Sequence, residues 1–107
     1  MDHPIKAIDV MTREVVTVDA ALSVAAAAER LCERGASNAP VVEHDFTREI
    51  LVGFVSEKDL MQCYASGRMH AEPRLRVGEV MRPHPVCVRP ETDLYTLAAV
   101  FMQHGYR

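Results

Sequence analysis

At Ser56 the chain changes from one structural pattern to another, within the segment Ile50-Leu51-Val52-Gly53-Phe54-Val55-Ser56-Glu57-Lys58-Asp59-Leu60. The apolar, largely β-branched residues before Ser56 predict a strand, and a helical pattern begins directly after it. One interpretation is a capping box, in which the Ser56 hydroxyl accepts from the Asp59 backbone N–H and the Asp59 carboxylate reaches back. The other is a polar ligand site, because free N–H groups and the helix dipole at such a junction attract phosphate. On this segment alone capping is favoured, since Ser and Asp prefer first-turn positions.

The composition predicts an ordinary folded domain. The chain has 107 residues, of which 49% are hydrophobic and 25% charged, which is typical of one globular domain with a modest core. Its net charge of −3 at pH 7 argues against a general nucleic-acid or membrane-surface binder, which usually carries a basic excess. No apolar run approaches the roughly 20 residues of a membrane span, and the N-terminus does not resemble a secretory signal. We therefore predict a cytoplasmic protein without a nucleic-acid or membrane partner.

The cysteine and histidine positions predict neither a disulfide nor a metal site. Cys32, Cys63 and Cys87 are three in number and lack CxxC spacing, so we expect reduced thiols that pack as small apolar side chains. The five histidines have no i, i+3 or i, i+4 partner and no HExxH context. The chain also has no Ser-His-Asp or Cys-His arrangement and no Walker-type phosphate loop. We therefore predict that it is not an enzyme.

The first part of the chain is predicted to have the order strand, helix, strand, strand, helix. The predicted elements are a strand at 15–18, a helix between Ser23 and Gly35, a strand at 39–42, a turn at 43–49, a strand at 50–55 and a helix at 57–65. The first helix is indicated by apolar residues at i, i+3, i+4 and i+7, which are Val24, Ala27, Ala28 and Leu31. A polar and charged linker follows this unit.

After the linker the sequence repeats itself at an offset of 70 (80 − 10), when Val80-Met81 is placed under Val10-Met11. The register holds without a gap to residue 107. It matches the predicted strand 16–18 with 86–88, the N-cap Ser23 with Asp93, and Gly35 with Gly105. The apolar helix face falls on Leu94, Leu97, Ala98 and Phe101. Because internal repeats outrank local motifs in fixing a fold, we expect two copies of one structural unit, the second reaching only as far as its helix.

A β-α-β-β-α unit that occurs twice, with Gly-x-x-Ser-x-x-Asp at the junction of the third strand and second helix, resembles the cystathionine-β-synthase (CBS) domain. The matching features are Asp9-Val10-Met11-Thr12, Gly35-Ala36-Ser37-Asn38-Ala39-Pro40-Val41-Val42, Gly53-Phe54-Val55-Ser56-Glu57-Lys58-Asp59-Leu60, Gly78-Glu79-Val80-Met81 and His104-Gly105-Tyr106-Arg107. The resemblance implies an α/β fold (α+β by some schemes). It places a complete first motif at 1–67, a linker at 68–76 and the β-α half of a second motif at 77–107.

The resemblance also implies a binding site. CBS motifs work in pairs, called Bateman modules, and the clefts between them often bind adenosine-containing ligands. In such clefts the Asp of this element binds the ribose hydroxyls and the Ser contacts ribose or phosphate, roles that carry over to Asp59 and Ser56. By the same resemblance, the other expected contacts are Ser37, Asn38, Val86, Cys87 and Arg107, with Val86 and Cys87 at the base and Arg107 at a phosphate. The second cleft, lined by Met11 and Val16, lacks its own Ser/Thr-x-x-Asp, so we expect at most one site per chain.

The function that the resemblance implies is regulatory. The predicted module senses AMP, ADP, ATP or an S-adenosyl ligand, with no obligatory cofactor, and modulates a partner or fused effector protein. The alternative is a ligand-independent dimerisation or scaffold module. Because the second unit leaves the apolar face of its helix uncovered, a homodimer is expected. The sequence leaves open whether the 107 residues are part of a longer chain.

Overall fold

A computed structural model of the chain describes residues 5–105. Its helices are α1 (Ala7–Val10), α2 (Val24–Arg34), α3 (Glu57–Ala65), α4 (Arg68–Ala71), α5 (Val77–Val80) and α6 (Leu94–His104). Its strands are β1 (Val18–Asp19), β2 (Asn38–Asp45), β3 (Arg48–Ser56) and β4 (Arg82–Pro83). The α/β fold class predicted from the sequence is therefore confirmed.

The four strands form one sheet in the order β1-β2-β3-β4. β1 pairs with β2 in parallel, whereas β2–β3 and β3–β4 are antiparallel. The β2–β3 register shifts at Val41 and Val42, which lie opposite Gly53 and Leu51, so Val52 is the extra residue of a β-bulge. The core beside this sheet is formed by buried side chains of α2, α3, β2 and β3, with Leu31, Leu60 and Val55 among the most enclosed.

The turn predicted at 43–49 is wrong, because strand pairing continues through most of it. β2 and β3 are joined by residues 46–47 alone. Polar residues face one another across the hairpin in the pairs His44↔Glu49 and Asp45↔Arg48, and Glu43 lies opposite Ile50. A polar segment forms strands here because an antiparallel hairpin satisfies its backbone groups while its side chains remain in water.

The strand predicted at 15–18 is also wrong for most of its length, since β1 is limited to Val18–Asp19. Extending the parallel register backwards would place Thr17 opposite Pro40, which has no N–H to donate. The Thr17 carbonyl instead accepts from Arg30 Nε at 2.8 Å. The Arg30 side chain of α2 thus takes the place that a strand partner would have at the Thr17 carbonyl.

The segment 68–76, predicted as a polar linker, contains α4 and a residue of the core. Leu75 is 2% exposed, and its carbonyl accepts from the Val24 N–H at 2.9 Å, at the start of α2. Arg68 lies on α4 and donates from Nε to Glu72 at 3.0 Å. Two of the three cysteines likewise differ from expectation, because Cys32 and Cys87 are exposed and only Cys63 is buried.

The described residues divide into two compact units, one of 5–14 with 86–105 and the other of 15–85. The division does not follow the predicted boundaries at 67 and 77, which remain predictions about the motifs.

The repeat is visible in the helices. α5 lies 70 residues after α1, and α6 lies 70 residues after α2, with the same bounds at both ends. The caps repeat as well. Ser23 accepts from the Ala26 N–H and Asp93 from the Thr96 N–H, while Gly35 and Gly105 end their helices in the left-handed region at φ 63° and 67°.

The predicted strand at 86–88 is not formed, although it corresponds to part of the first unit's strand region. In the first copy of the repeat, β1 is held by its parallel partner β2.

Candidate functional site

The junction of β3 and α3 contains the capping box predicted from Ser56 and Asp59. The Ser56 hydroxyl accepts from the Asp59 backbone N–H at 3.1 Å. Asp59 Oδ2 accepts from the Ser56 backbone N–H at 3.0 Å. These two bonds satisfy donors at the start of α3 and fix the direction of the Asp59 carboxylate. The capping interpretation is therefore confirmed.

The carboxylate of Asp59 also binds Arg82, the first residue of β4. Nη2 and Nε of Arg82 donate to the same oxygen, Oδ1, at 3.1 and 3.3 Å. The Asp59 side chain is 9% exposed, whereas that of Arg82 is 71% exposed. Burial by itself raises the pKa of Asp59, but the hydrogen bonds from Arg82 and Ser56 and the positive charge of Arg82 outweigh it. The pKa of Asp59 is lowered, and the group is an anion at neutral pH.

Ser37 and Asn38 lie at the same edge of the sheet as Ser56. Asn38 begins β2 and lies opposite Ser56, the last residue of β3. The Ser37 carbonyl accepts from the Glu57 N–H at 2.8 Å, at the first turn of α3. Both Ser37 and Asn38 are exposed. Four of the predicted ligand-binding residues are thus brought together by one pairing of strands and one helix start.

Gly53 in β3 has no room for a side chain. A Cβ atom there would lie 2.9 Å from the Arg82 carbonyl oxygen and 3.0 Å from Met81 Cγ, and it would also overlap Met81 Sδ. The missing side chain lets β4 pair closely with β3, where Phe54 lies opposite Arg82. Gly53 therefore helps to place the Arg82 guanidinium on Asp59.

On one side of Asp59 lies a cavity of about 610 Å³, which is within the usual range for small-molecule sites. Its lining includes polar and charged residues of α3, α4 and α5. These residues are Asp59, Gln62, Ser66, Arg68 and Glu79. Asp59, at the first turn of α3, is thus one of the residues that line this cavity.

The place of the remaining predicted residues relative to this site stays a prediction. Val86 and Cys87 are exposed and belong to the other compact unit, in the irregular segment before α6. Arg107 lies outside the described residues. Their part in a shared cleft stays a prediction.

Sequence reasoning missed Arg82 as a member of the site. Asp59 and Arg82 are 23 positions apart, and no spacing rule links them. Their contact depends on β4, a strand of two residues that no periodicity could indicate. A signal was nevertheless present, since a carboxylate predicted beside a buried strand needs a donor or a cation.

Metal binding finds no support in the described part of the chain. Within residues 5–105 no group of three His, Cys, Asp or Glu side chains is placed to hold a metal ion. Over the same residues no helix has the length and apolar character needed to cross a membrane.

Comparison with known proteins gives the class of the chain. The CBS domain family matches residues 7–66 and 77–107. No curated protein matched the chain. Among solved structures, CBSX2 in complex with AMP has a TM-score of 0.78 and 29% identity over 96% of this chain and 78% of that one. A second structure, CBSX2 from Arabidopsis thaliana, has a TM-score of 0.75 and 28% identity over 94% of this chain and 75% of that one.

Two further structures broaden the comparison. A hexameric CBS-CP12 protein from bloom-forming cyanobacteria has a TM-score of 0.74 and 28% identity, over 98% of this chain and 60% of that one. A CBS domain protein from Pyrobaculum aerophilum complexed with AMP has a TM-score of 0.79 and covers 96% of this chain and 75% of that one. At 17% identity, that similarity concerns the fold alone. Since the family matches most of its length, this chain belongs to the CBS domain family.

Proposed function

We propose that this chain is a regulatory module that binds an adenosine-containing ligand beside Ser56 and Asp59. The candidate ligands are AMP, ADP, ATP and S-adenosyl compounds. Binding shifts the arrangement of the CBS motifs and thereby modulates a partner or a fused effector. The observation that carries this proposal is the Asp59 carboxylate, which is kept charged and directed by a capping box at the edge of an open cavity.

The chemistry of the carboxylate suits a ribose. Two oxygens can accept hydrogen bonds from two vicinal hydroxyls at once, and a charged acceptor makes these bonds stronger than neutral ones. Ser56 and the exposed Ser37 and Asn38 lie on the same edge and add hydroxyl and amide groups for further contacts. CBSX2, at 29% identity, has been solved with AMP, which supports this ligand class for the present chain.

We propose one such site per chain. Within the 107 residues the Ser-x-x-Asp element occurs once, at the junction of β3 and α3. Calorimetric titration should therefore give a stoichiometry of one nucleotide per chain. A stoichiometry of two would refute the single site.

A second candidate function, self-association as a scaffold, is favoured by α6. None of its side chains is buried, and Tyr95 and Met102 are 91% and 85% exposed. The apolar positions that repeat the core face of α2 are also accessible, with Leu94 and Phe101 about 40% exposed. Light scattering at micromolar concentration should give a dimer, and a clean monomer would argue against the scaffold.

The decisive experiment compares Asp59→Asn with a matched control, Asp9→Asn. Asp9 occupies the equivalent place in the box of α1, where Oδ2 accepts from the Lys6 N–H at 2.9 Å. Both variants remove one carboxylate charge from a helix start, but only Asp59 belongs to the proposed site. We expect D59N to weaken AMP binding by at least tenfold and D9N to leave it unchanged, since about 1.4 kcal/mol corresponds to a factor of ten.

The readout is isothermal titration of each folded variant with AMP, ADP, ATP and S-adenosylmethionine. Equal nucleotide affinities of D59N and the parent would show that Asp59 does not contribute to the binding site. If the parent binds none of these ligands, the proposed sensing function is refuted and self-association as a scaffold remains as the candidate function.

A further inference from the structure

The tip of the β2–β3 hairpin carries an aromatic side chain that the fold does not use. Phe46 and Thr47 join the two strands, and the Phe46 side chain is fully exposed, at 105%. The Phe46 backbone lies in the left-handed region at φ 47°, where two-residue hairpin turns usually have Gly, Asn or Asp. A β-carbon makes this conformation unfavourable. Phenylalanine at this position therefore strains the backbone and gains no burial within the described residues.

The residues next to the tip order it. Strand pairing continues as far as Asp45 and Arg48, which also form an ion pair at 3.4 Å. His44 connects three strands, because Nδ1 lies 2.9 Å from Asp19 in β1 and Nε2 lies 3.3 Å from Glu49 in β3. A side chain presented from an ordered turn loses less conformational freedom on binding than one on a mobile loop. The tip is thus suited to present Phe46 to another molecule.

The distal part of the hairpin, residues 43–50, is acidic, and we call it the arm. It contains three carboxylates and one arginine, a formal net charge of −2 with His44 neutral, whereas the whole chain has −3. Every residue of the arm is exposed except Asp45, which is partly exposed. An aromatic side chain surrounded by polar residues is typical of an interface hot spot.

The charge of the arm favours one kind of partner over two others. Anionic lipid surfaces repel carboxylates, so a membrane is disfavoured. The cavities that a second copy of the chain would offer are acidic as well. The cavity beside Asp59 and a smaller one of about 340 Å³ at Glu72 and Glu79 each have two carboxylates and one arginine. A different protein, with Lys or Arg around an apolar pocket, matches both the ring and the charge.

We propose that the arm is a docking surface, which inserts Phe46 into an apolar pocket of a partner protein with basic residues around that pocket. The ring supplies buried area, and the pairing of opposite charges supplies orientation and a faster association. The arm lies at the other end of β3 from Ser56, roughly 25 Å away at about 3.3 Å per residue. The proposal therefore does not rest on the proposed ligand site.

The first test asks whether Phe46 serves the fold. Asn tolerates the left-handed region, so Phe46→Asn should raise the midpoint of thermal unfolding by roughly 4 °C in a domain of this size. Thr47→Ala is the control, because it changes the same turn and keeps the ring, and it should leave the midpoint nearly unchanged. An unchanged or lowered midpoint in F46N would show that the ring is stabilised within its own chain, and would overturn the proposal.

The second test identifies the partner by photo-crosslinking. The chain with p-benzoylphenylalanine in place of Phe46 is irradiated in an extract of the cells it comes from. The control has the same group in place of Met61, which is 57% exposed on α3. The protein joined to position 46 and not to position 61 is purified and titrated with the parent, F46N and T47A. We expect F46N to bind it at least tenfold more weakly and T47A to bind it like the parent, with affinity falling as ionic strength rises.

The other outcomes each contradict the proposal. Equal affinities of F46N and the parent for the purified protein would show that Phe46 is not the anchor. Crosslinking from position 46 to a second copy alone would make the arm a self-association surface. Binding to vesicles of phosphatidylcholine and phosphatidylserine that is lost in F46N would make it a membrane contact. If no product is specific to position 46, the arm has no partner in that extract and the proposal is wrong.

Discussion

Gly53→Ala tests the packing that brings β4 to β3. Its Cβ would lie 2.9 Å from the Arg82 carbonyl oxygen and would overlap Met81 Sδ. The thioether can move aside, but a carbonyl within the β3–β4 ladder cannot shift without disturbing the pairing of Gly53 with Pro83. The substitution therefore forces part of β4 away from the sheet.

The size of the effect follows from two opposing contributions. Replacing Gly by Ala in a strand stabilises by about 0.5–1 kcal/mol, because Gly loses more conformational freedom on folding. Inserting a methyl group into a filled space typically costs about 1–3 kcal/mol. The cost of the clash should be larger than the gain in conformational entropy, because one of the contacts is to a backbone atom. We therefore expect the free energy of unfolding to fall by about 1–2 kcal/mol.

The assay is urea denaturation followed by circular dichroism, with Gly78→Ala as the control. A Cβ at Gly78 would lie 3.2 Å from the Ala20 carbonyl oxygen, a milder contact, and Ala gains about 1 kcal/mol over Gly in a helix. G78A should therefore be close to neutral. The double variant G53A/M81A should recover part of the loss beyond additivity, because the side-chain overlap is removed and the backbone contact remains. Equal stability of G53A and the parent would refute the packing argument.

Two further predictions concern the compact unit of residues 15–85. His44 lies between two carboxylates, with Nδ1 2.9 Å from Asp19 Oδ2 and Nε2 3.3 Å from Glu49 Oε1, and the hydrogen bonds to Asp19 and then Glu49 raise its pKa. The stabilisation by protonated His44 is fully present below the unfolded pKa of about 6.5 and is lost as pH rises through the higher folded pKa. In His44→Gln the free energy of unfolding should therefore change less with pH across this window. Urea denaturation at a series of pH values measures this dependence. A parent whose stability is constant across this window would contradict the contact. Ser23→Ala should lower the free energy of unfolding by about 1 kcal/mol, and Ser23→Asp should not, because Asp93 caps α6 in the same way; equal loss in both variants would argue against capping.

The elements that the sequence predicted correctly are those whose determinants are local. α2 and α3 have caps and apolar spacing within one segment, so Ser23, Gly35 and Ser56 mark their ends without knowledge of the rest of the fold. The offset of 70 added a second, independent determinant, because α6 repeats both the length and the caps of α2.

Most of the wrong predictions concern strands, which depend on a partner elsewhere in the chain. Within the described residues 5–105, positions 86–88 have β-branched character but form no strand, while 43–45 and 48–49 are polar and well paired. Strand propensity describes how a side chain fits a pleated surface, and it does not say whether a second strand is present. The same limit hid Arg82, whose approach to Asp59 depends on the pairing of β4 with β3.

The two interpretations of Ser56 and Asp59 that the sequence left open describe one structure. An uncapped aspartate on the first turn of a helix would sample several rotamers, and a ligand would have to fix one of them at a cost of about 0.5–1.5 kcal/mol per side chain. The box removes that cost in advance, because the Ser56 N–H already holds Oδ2 at 3.0 Å. Capping therefore prepares the carboxylate for a ligand instead of competing with it. Arg82, which donates to the other oxygen, was not visible in the local sequence.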